Sequence, residues 1–587
     1  MITTHSLSVS SFLELAEGGG DSVVVSELRG AQLSKHMMLL HVVAEAAAEV
    51  HPSTRATDAF RVGYRLLSQV QAADQATAAR LLALPHIGSW AHDCLASLDN
   101  GLSADFGYLA AVAASAAIQA GLRFEVDVPV RDGRAPLPGL GCLEVPGAPE
   151  WIKLTSDGAR LRAGEHVDIA LTALIPDAGS GVTTAHWRGA PLVKAEADGQ
   201  TWAVLLEIAD RYLDRYALPM LTALPEAEVA QWRDRIQGAW ELLVRHHQWA
   251  AGPVAEGVSV IVPLVQQSDL DSATSPAAFG AIATSLPPTP VSMAETLVHE
   301  FQHNKLCGLM DMLPLIEATD ERGYAPWRED PRPMAGLLQG VYAFAGIVHF
   351  WDVQRHVETG PDEILRANVL YERWRSTIAT VTGTLLDAGA LTSAGVRFIT
   401  ALRGRPEDVA SGPAPAEAIA VAREIALDNW LTWQLRHTAA DRAGVARLAD
   451  AFQRGEPLGD QALPATWIED DTRKVDSIAR SRLLKMSYEE PRRYRELSEV
   501  DIPGLRPADA LLIQGNPVAA VAAYRLELAA EPDPAAWIGL ALAIHRLSAS
   551  PARSPLATQL PLICETHLRL ASQGVCADPL ELAAWFA

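Results

Sequence analysis

A five-residue motif, His299-Glu300-Phe301-Gln302-His303, limits the fold of this chain more than any other feature. Residues i and i+4 of a helix lie on one face, so a helix through the motif brings both imidazoles within reach of one metal ion. The flanking residues favour such a helix, because Leu297 and the motif phenylalanine can supply its buried side. We therefore predict that His299 and His303 bind a metal. An ordinary core helix with two satisfied histidines is the alternative.

A third protein ligand is expected outside the motif, because two histidines seldom suffice for a catalytic metal. His349 is the leading candidate, and it lies in a predicted long helix, Met334–Val357. Five residues of that helix recur at helical spacing and form a partly polar face of the kind that lines a cleft: Gln339, Tyr342, Gly346, His349 and Val353. Gln339 and Glu317 are other candidates for the ligand. His349 as an ordinary packing or surface histidine stays open.

The identity of the metal is left open by the residues alone. Histidine ligands with open coordination positions suit zinc in a hydrolase or ferrous iron in an oxygenase. With zinc, Glu300 would be the general base that activates a bound water. With iron, Glu300 would orient neighbouring groups or the substrate, since oxygen activation needs no base at that position.

A proline-rich loop after the motif carries two arginines, Arg328 and Arg332, on either side of Asp330. Arginine grips a carboxylate through two parallel hydrogen bonds, so the pair suits a carboxylate co-substrate or an acidic peptide. The same arginines can instead form ion pairs with Glu329 or Asp330.

The length of 587 residues exceeds what one hydrophobic core usually serves, so several domains are expected. Composition and periodicity predict a predominantly helical α+β protein in four regions. These are a helical region (1–123), a mixed β/α region (124–250), a catalytic region with the motif helix (251–480) and a helical tail (481–587) that resembles tetratricopeptide repeats. A helix is also predicted over 202–216.

Two predicted strands, 258–264 and 279–285, precede the motif helix. Strands, a loop and then a His-Glu-x-x-His helix are the order found in zincin-like metalloenzymes. In those enzymes the last strand borders the cleft and can hydrogen-bond an extended peptide. Two ordinary core strands are the alternative interpretation.

The charge and cysteine content narrow the range of partners and compartments. The chain has 48 basic and 71 acidic side chains, a net charge of −23, which disfavours a nucleic-acid partner and would repel acidic peptides from any surface that is not locally basic. Neither an export signal nor a membrane span is expected. The five scattered cysteines lack CxxC spacing and indicate reduced thiols in a cytoplasm. The oligomeric state is left open.

Four segments together resemble a known bacterial family, and they are 272–280 (SATSPAAFG), 299–305 (HEFQHNK), 325–333 (APWREDPRP) and 336–344 (GLLQGVYAF). Members of that family are HExxH-motif peptide-modification proteins encoded beside ribosomally synthesised precursor peptides. The resemblance implies an oxygenase dependent on iron(II) and α-ketoglutarate that β-hydroxylates a residue of a precursor peptide. It matches His299 and His303 to the metal-binding pair and Glu300 to the motif carboxylate. His349 as third ligand rests on helix geometry, and Arg328 and Arg332 as the α-ketoglutarate clamp rest on their chemistry.

Two other functions compete with the peptide β-hydroxylase. A zinc peptidase would use Glu300 as its general base, although a cytoplasmic chain is an unattractive general endopeptidase. A non-catalytic scaffold would use its helices and tail to hold a peptide or a partner enzyme. Analysis of the bound metal separates the three functions. Iron would indicate the hydroxylase, zinc would indicate the peptidase, and the absence of bound metal would indicate the scaffold.

Overall fold

The computed structural model describes residues 5–50, 52–145, 147, 149–164, 167–176, 183–214, 216–268, 271–404, 412–459, 463–470, 474–476, 478–496, 502–548 and 554–587. The chain forms two compact units, Met1–Leu315 and Ile316–Ala587. The division falls inside the predicted region 251–480. It assigns the motif helix to the first unit and the helix that carries His349 to the second.

The first unit is a mixture of helices and small sheets. Its helices are α1 (Val9–Ala16), α2 (Ser22–Glu49), α3 (Arg55–Ala73), α4 (Gln75–Leu82), α5 (Pro85–Asp99), α6 (Tyr108–Gln119), α7 (Leu171–Leu174), α8 (Glu226–His246), α9 (Gln248–Gly257) and α10 (Pro290–Met312). Helix α6 is alanine-rich and buried on all sides, as expected of a central core helix. The glycines at 18–20 separate α1 from α2.

The described strands of the first unit form three sheets. They are β1 (Arg123–Pro129), β2 (Arg134–Leu137), β3 (Gly141–Glu144), β4 (Trp151–Asp157), β5 (Arg160–Ala163), β6 (Val167–Ala170), β7 (Trp187–Gly189), β8 (Leu192–Ala197), β9 (Gln200–Leu206), β10 (Val260–Pro263), β11 (Ser272–Ala273) and β12 (Ala281–Thr284). Two antiparallel sheets have the orders β1-β4-β5-β6 and β2-β3-β7, and their buried side chains share one core with α6. The third sheet has the order β11-β12-β10-β9-β8.

The five-stranded sheet positions the motif helix. Strands β9, β10 and β12 run parallel, whereas β8 and the short outer strand β11 run antiparallel to their neighbours. All residues of β10 and β12 are buried, which fits strands covered on both faces. The chain leaves β12 and enters α10 within six residues, so the motif follows the last strand of this sheet directly.

One secondary-structure prediction in this unit is wrong. The segment 202–216, expected to be helical, contributes the end of β9 and a 3-10 turn, Arg211–Leu213. Strand β9 forms a two-residue hairpin with β8 and also pairs with the distant strand β10, so strand pairing outweighs the helical spacing of its leucines and alanines.

The second unit is almost entirely helical. Its helices are α11 (Met334–Val357), α12 (Pro361–Asp387), α13 (Ser393–Arg403), α14 (Ala416–His437), α15 (Arg442–Gln453), α16 (Ile478–Glu489), α17 (Pro491–Glu496), α18 (Pro507–Ile513), α19 (Pro517–Ala530), α20 (Pro534–Leu547), α21 (Pro555–Thr558), α22 (Leu560–Ser572) and α23 (Pro579–Trp585). Two small antiparallel sheets pair β13 (Arg322–Gly323) with β14 (Arg332–Pro333) and β15 (Thr438–Ala440) with β16 (Thr466–Ile468). Helices α18 to α23 share one hydrophobic core with α14 and α15. The chain is therefore predominantly helical with small sheets, as predicted.

Helix α11 is the one described helix that is long and apolar enough to cross a membrane by length and composition. Of its most apolar window, with a mean hydropathy of 1.3, 67% is buried inside protein. Its apolar side chains therefore serve as core, as Tyr342 does against Phe398 at a ring distance of 5.3 Å.

Candidate metal centre

Helix α10 starts at a well-defined N-terminus and exposes one narrow stripe. The Thr289 hydroxyl accepts a hydrogen bond from the Ser292 amide and the Ser292 hydroxyl accepts one from the Thr289 amide, which forms a capping box. Four residues spaced four apart are partly exposed along the helix: Glu295, His299, His303 and Cys307. Both motif histidines therefore lie on the accessible face, as the i, i+4 spacing predicted.

The two imidazoles lie side by side. The ring centroids of His299 and His303 are 5.0 Å apart, and the ring planes cross at 78°. Burial, reinforced by the proximity of His303, lowers the pKa of His299 to about 4, although the Glu300 carboxylate acts in the opposite direction. His299 is therefore neutral at physiological pH, which is the form of imidazole that binds a metal.

The motif carboxylate is held by the outer strand of the sheet. Glu300 is 3% exposed. Its Oε1 accepts a hydrogen bond of 2.7 Å from the Ser272 hydroxyl, and its Oε2 accepts one of 2.7 Å from the Thr274 hydroxyl. Ser272 belongs to β11 and Thr274 follows it directly, so these contacts link α10 to the edge of the sheet. Both carboxylate oxygens are thus engaged by hydroxyl donors from the same short segment.

Three further polar side chains around the motif anchor the helix to backbone groups. The Asn304 Oδ1 accepts from the Gly280 amide at 2.8 Å, next to the start of β12. Gln302 donates to the Gly18 carbonyl at 2.9 Å, and Lys305 donates to the Gly19 carbonyl at 2.6 Å. All three side chains are buried, and buried polar groups persist where they have partners of this kind. They position the histidines without lying on the accessible stripe.

A close contact on the opposite side of α10 also fixes its position. A side chain at Gly257, the last residue of α9, would clash with the ring of Phe301. The absence of a Cβ at Gly257 therefore lets the motif phenylalanine pack directly onto the end of α9, and it sets the separation of the two helices.

The other predicted ligands belong to the second unit. His349 lies in α11 and is partly exposed, as are Gln339 and Val353, whereas Tyr342 and Gly346 of the predicted face are buried. Glu317 is exposed, and its amide donates to the Ala390 carbonyl at 2.8 Å. The structure thus brings together His299 and His303. His349 as the third ligand stays a prediction.

The arginine pair of the loop before α11 binds a carboxylate of its own chain. Arg328 Nε donates to Asp330 Oδ1 at 2.8 Å, and an Arg332 guanidinium nitrogen donates to Asp330 Oδ2 at 3.2 Å. Burial acts to raise the pKa of Asp330, but the hydrogen bonds from Arg328 and Arg332 prevail and lower it. This local pairing is the alternative that the sequence left open. The α-ketoglutarate clamp stays a prediction, and it would require the keto acid to compete with Asp330.

The residues on the motif face fit a metal ion in part. Two partly exposed imidazoles one turn apart, of which His299 is held neutral, are suitable ligands for zinc or for ferrous iron. Within the described ranges, no group of three or more His, Cys, Asp or Glu side chains is gathered closely enough to hold a metal. The pair therefore accounts for two ligand positions.

Sequence reasoning identified the two histidines but missed Ser272 and Thr274. The available signal was a run of small hydroxyl residues before a predicted buried strand, and such a run is equally typical of a turn.

Comparison with known proteins does not help to assign the site, because no protein-family model matches the chain and no curated protein is significantly similar to it.

Proposed function

We propose that this chain is an iron(II)- and α-ketoglutarate-dependent oxygenase that β-hydroxylates a residue of a ribosomally synthesised precursor peptide. The observation that carries the proposal is the state of Glu300. Its buried carboxylate is held on both oxygens by Ser272 and Thr274, while His299 and His303 lie on the partly exposed stripe of α10. The motif then supplies metal ligands and a structural carboxylate, a division of roles that suits an oxygenase.

The ligand histidines are prepared for this role by their surroundings. Burial keeps His299 neutral, so metal binding requires no proton to leave that ring. Bound ferrous iron with α-ketoglutarate would supply the oxidising power for hydroxylation of a carbon–hydrogen bond. The anchors at Gln302, Asn304 and Lys305 fix the helix and so hold both rings in place. We propose His349 as the third ligand and Arg328 and Arg332 as the α-ketoglutarate clamp.

Glu300 acts as a positioning residue in this proposal. A general base must accept a proton from a metal-bound water, and it needs an oxygen directed at that water. Here both oxygens are directed at hydroxyl donors on and beside β11. In a zinc peptidase this carboxylate would have to accept the water proton while buried and already hydrogen-bonded on both oxygens, which weighs against that alternative.

The same contacts connect the helix to a surface suited to a peptide. Strand β11 is the outer strand of its sheet and is partly exposed, so an extended peptide can pair with its open side. Glu300 fixes the position of β11 relative to the two histidines. We propose on this basis that the first unit has a zincin-like core and that the substrate peptide lies along β11. We also propose that helices α18 to α23 form a tetratricopeptide-like appendage in a cytoplasmic enzyme.

Metal content tests the proposal at its first step. Purification under anaerobic conditions with ferrous iron should give a protein with bound iron, and His299→Ala and His303→Ala should each lose it while remaining folded. His41→Ala is the matched control, because His41 is an exposed histidine on α2 paired with Glu45 at 3.4 Å. Retention of stoichiometric iron by both motif variants would refute the assignment. Retention of zinc in place of iron, with peptide cleavage, would favour the peptidase.

A further inference from the structure

A second concave site lies in the first unit, among residues that the proposed chemistry does not use. A cavity of about 720 Å³ is lined by three arginines, Arg131, Arg134 and Arg211. A neighbouring cavity of about 400 Å³ shares Arg131 and Arg211 with it. The larger volume lies within the range of roughly 300–1,000 Å³ that is typical of ligand sites. Apolar residues, among them Ile208 and Met220, form another part of its wall.

Two of the arginines are presented by a tight hairpin turn. Arg131 and Arg134 exchange backbone hydrogen bonds of 2.8 and 2.9 Å across the turn between β1 and β2. The two central residues, Asp132 and Gly133, have φ angles of 50° and 73°, a left-handed pair that is characteristic of two-residue hairpins. The backbone that carries these guanidinium groups is therefore well fixed.

The third arginine is fixed by a buried network. Arg211 opens the 3-10 turn whose preceding residue, Asp210, is 1% exposed. Asp210 accepts a hydrogen bond of 2.5 Å from the Tyr108 hydroxyl and one of 2.9 Å from the Tyr212 amide. The Arg211 guanidinium lies over the Tyr212 ring at 5.7 Å. The network holds the start of the turn, so Arg211 extends from a rigid base.

The charges around the cavity leave two arginines available. Four aspartates also line it: Asp93, Asp105, Asp132 and Asp214. Asp105 lies 3.7 Å from Arg131 and accepts a hydrogen bond of 2.8 Å from the Tyr212 hydroxyl, so its charge is locally compensated. Among the described residues, neither Arg134 nor Arg211 forms an ion pair with a carboxylate. Exposed Asp132 and Asp214 repel dense polyanions but allow a ligand whose carboxylates are separated by uncharged groups.

We propose that this cavity binds a peptide segment in which acidic side chains alternate with apolar ones. Arg134 and Arg211 hold the carboxylates by charge-assisted hydrogen bonds, and the wall at Ile208 and Met220 covers the apolar side chains. The choice of a peptide rests on the proposed function. Such a site would hold part of a precursor peptide through direct contacts with Arg134 and Arg211, because the lining as a whole, with three arginines and four aspartates, has no excess of positive charge.

Fluorescence anisotropy tests this docking site on the full-length protein after removal of metals with a chelator. The probe is a short fluorescein-labelled synthetic peptide that alternates glutamate with leucine, and its control has glutamine in place of glutamate. Arg134→Gln and Arg211→Gln should each weaken binding of the glutamate peptide about fivefold, the upper range for a partly exposed arginine–carboxylate pair, and the double variant should weaken it further. Arg160→Gln is the matched control, because Arg160 of β5 is already paired with Asp168 at 2.6 Å.

Three results would overturn the proposal. They are unchanged binding by the double variant, equal binding of the glutamine peptide, and displacement of the probe by free phosphate or succinate at the concentration at which unlabelled peptide displaces it. The last result would identify a small-anion site. The assay contains neither iron nor α-ketoglutarate, so a negative binding result would refute the docking site but not the oxygenase proposal. Conversely, a failure to hydroxylate the peptide would refute the oxygenase proposal but not the measured peptide binding.

Discussion

Removal of the two hydroxyl groups that hold Glu300 is the perturbation that probes the motif most sharply. The double variant Ser272→Ala, Thr274→Val keeps the size of both side chains nearly unchanged but deprives a carboxylate that is 3% exposed of both side-chain donors. A hydrogen bond to a charged group contributes about 1.5–3 kcal/mol, so the two together contribute about 3–6 kcal/mol if water does not replace them. The contact between α10 and β11 should weaken by that amount.

Native-state hydrogen exchange of peptides from α10 measures this loss locally, without requiring the two units to unfold together. A loss of about 3 kcal/mol corresponds to roughly a hundredfold faster exchange through opening of the helix. Ser68→Ala is the matched control, because the exposed Ser68 hydroxyl donates only within its own helix, to the Tyr64 carbonyl. In a Glu300→Gln background, the same two substitutions should lower the free energy of opening of α10 by at least about 1 kcal/mol less than in the wild type, because the charge that needs the donors is gone. Equal exchange in the double variant and the wild type would refute the reasoning.

Three further predictions concern the remaining site residues and one buried ion pair. His349→Ala should lower iron affinity at least tenfold in equilibrium metal titration if His349 is the third ligand, and unchanged affinity would redirect the search to other residues. Arg328→Lys or Arg332→Lys should raise the α-ketoglutarate concentration needed for half-maximal succinate formation without changing iron content; an unchanged requirement would remove both from the clamp. His86 and Glu207 form a buried pair at 3.1 Å; burial opposes both charges, but the pairing prevails, raising the pKa of His86 and lowering that of Glu207. The stability that protonated His86 contributes is complete below its ordinary pKa of 6.5 and is lost as the pH rises through its raised pKa. The stability that ionised Glu207 contributes is present above its ordinary pKa of 4.5 and is lost as the pH falls through its lowered pKa. Glu207→Gln should therefore cost about 3–5 kcal/mol near pH 6 in urea unfolding of the first unit and should abolish the alkaline loss, whereas an unchanged alkaline loss would contradict the pairing.

Local sequence signals predicted the elements that depend on local patterns. The motif helix α10 and the long helix α11 were both expected, because their apolar residues recur at helical spacing over more than five turns. Strand β9 was missed although a local signal was present, because Asp198-Gly199, both left-handed, forms the two-residue turn of the β8–β9 hairpin. Only its pairing with β10, which lies far along the chain, could not be read from a short window of sequence.

The candidate site divides in the same way. The i, i+4 spacing of His299 and His303 dictates their common face, so this part of the site was predictable. The partners of Glu300 were not predictable, because Ser272 and Thr274 are more than twenty residues away and reach the carboxylate only once β11 has paired with β12. For Arg328 and Arg332 the sequence offered two equal interpretations, and the structure shows their contact with Asp330.

The central claim is that the motif supports oxygen insertion into a peptide, and one reaction tests it directly. The protein, loaded with ferrous iron, is incubated with α-ketoglutarate, oxygen and candidate precursor peptides, namely any short peptides encoded next to its gene, and the products are analysed by mass spectrometry. The account predicts that the peptide gains the mass of one oxygen atom on a β-carbon, with one succinate formed for each hydroxylation, and that neither product forms with His299→Ala. A peptide that is cleaved by the zinc-loaded protein, with no dependence on α-ketoglutarate or oxygen, would contradict the account.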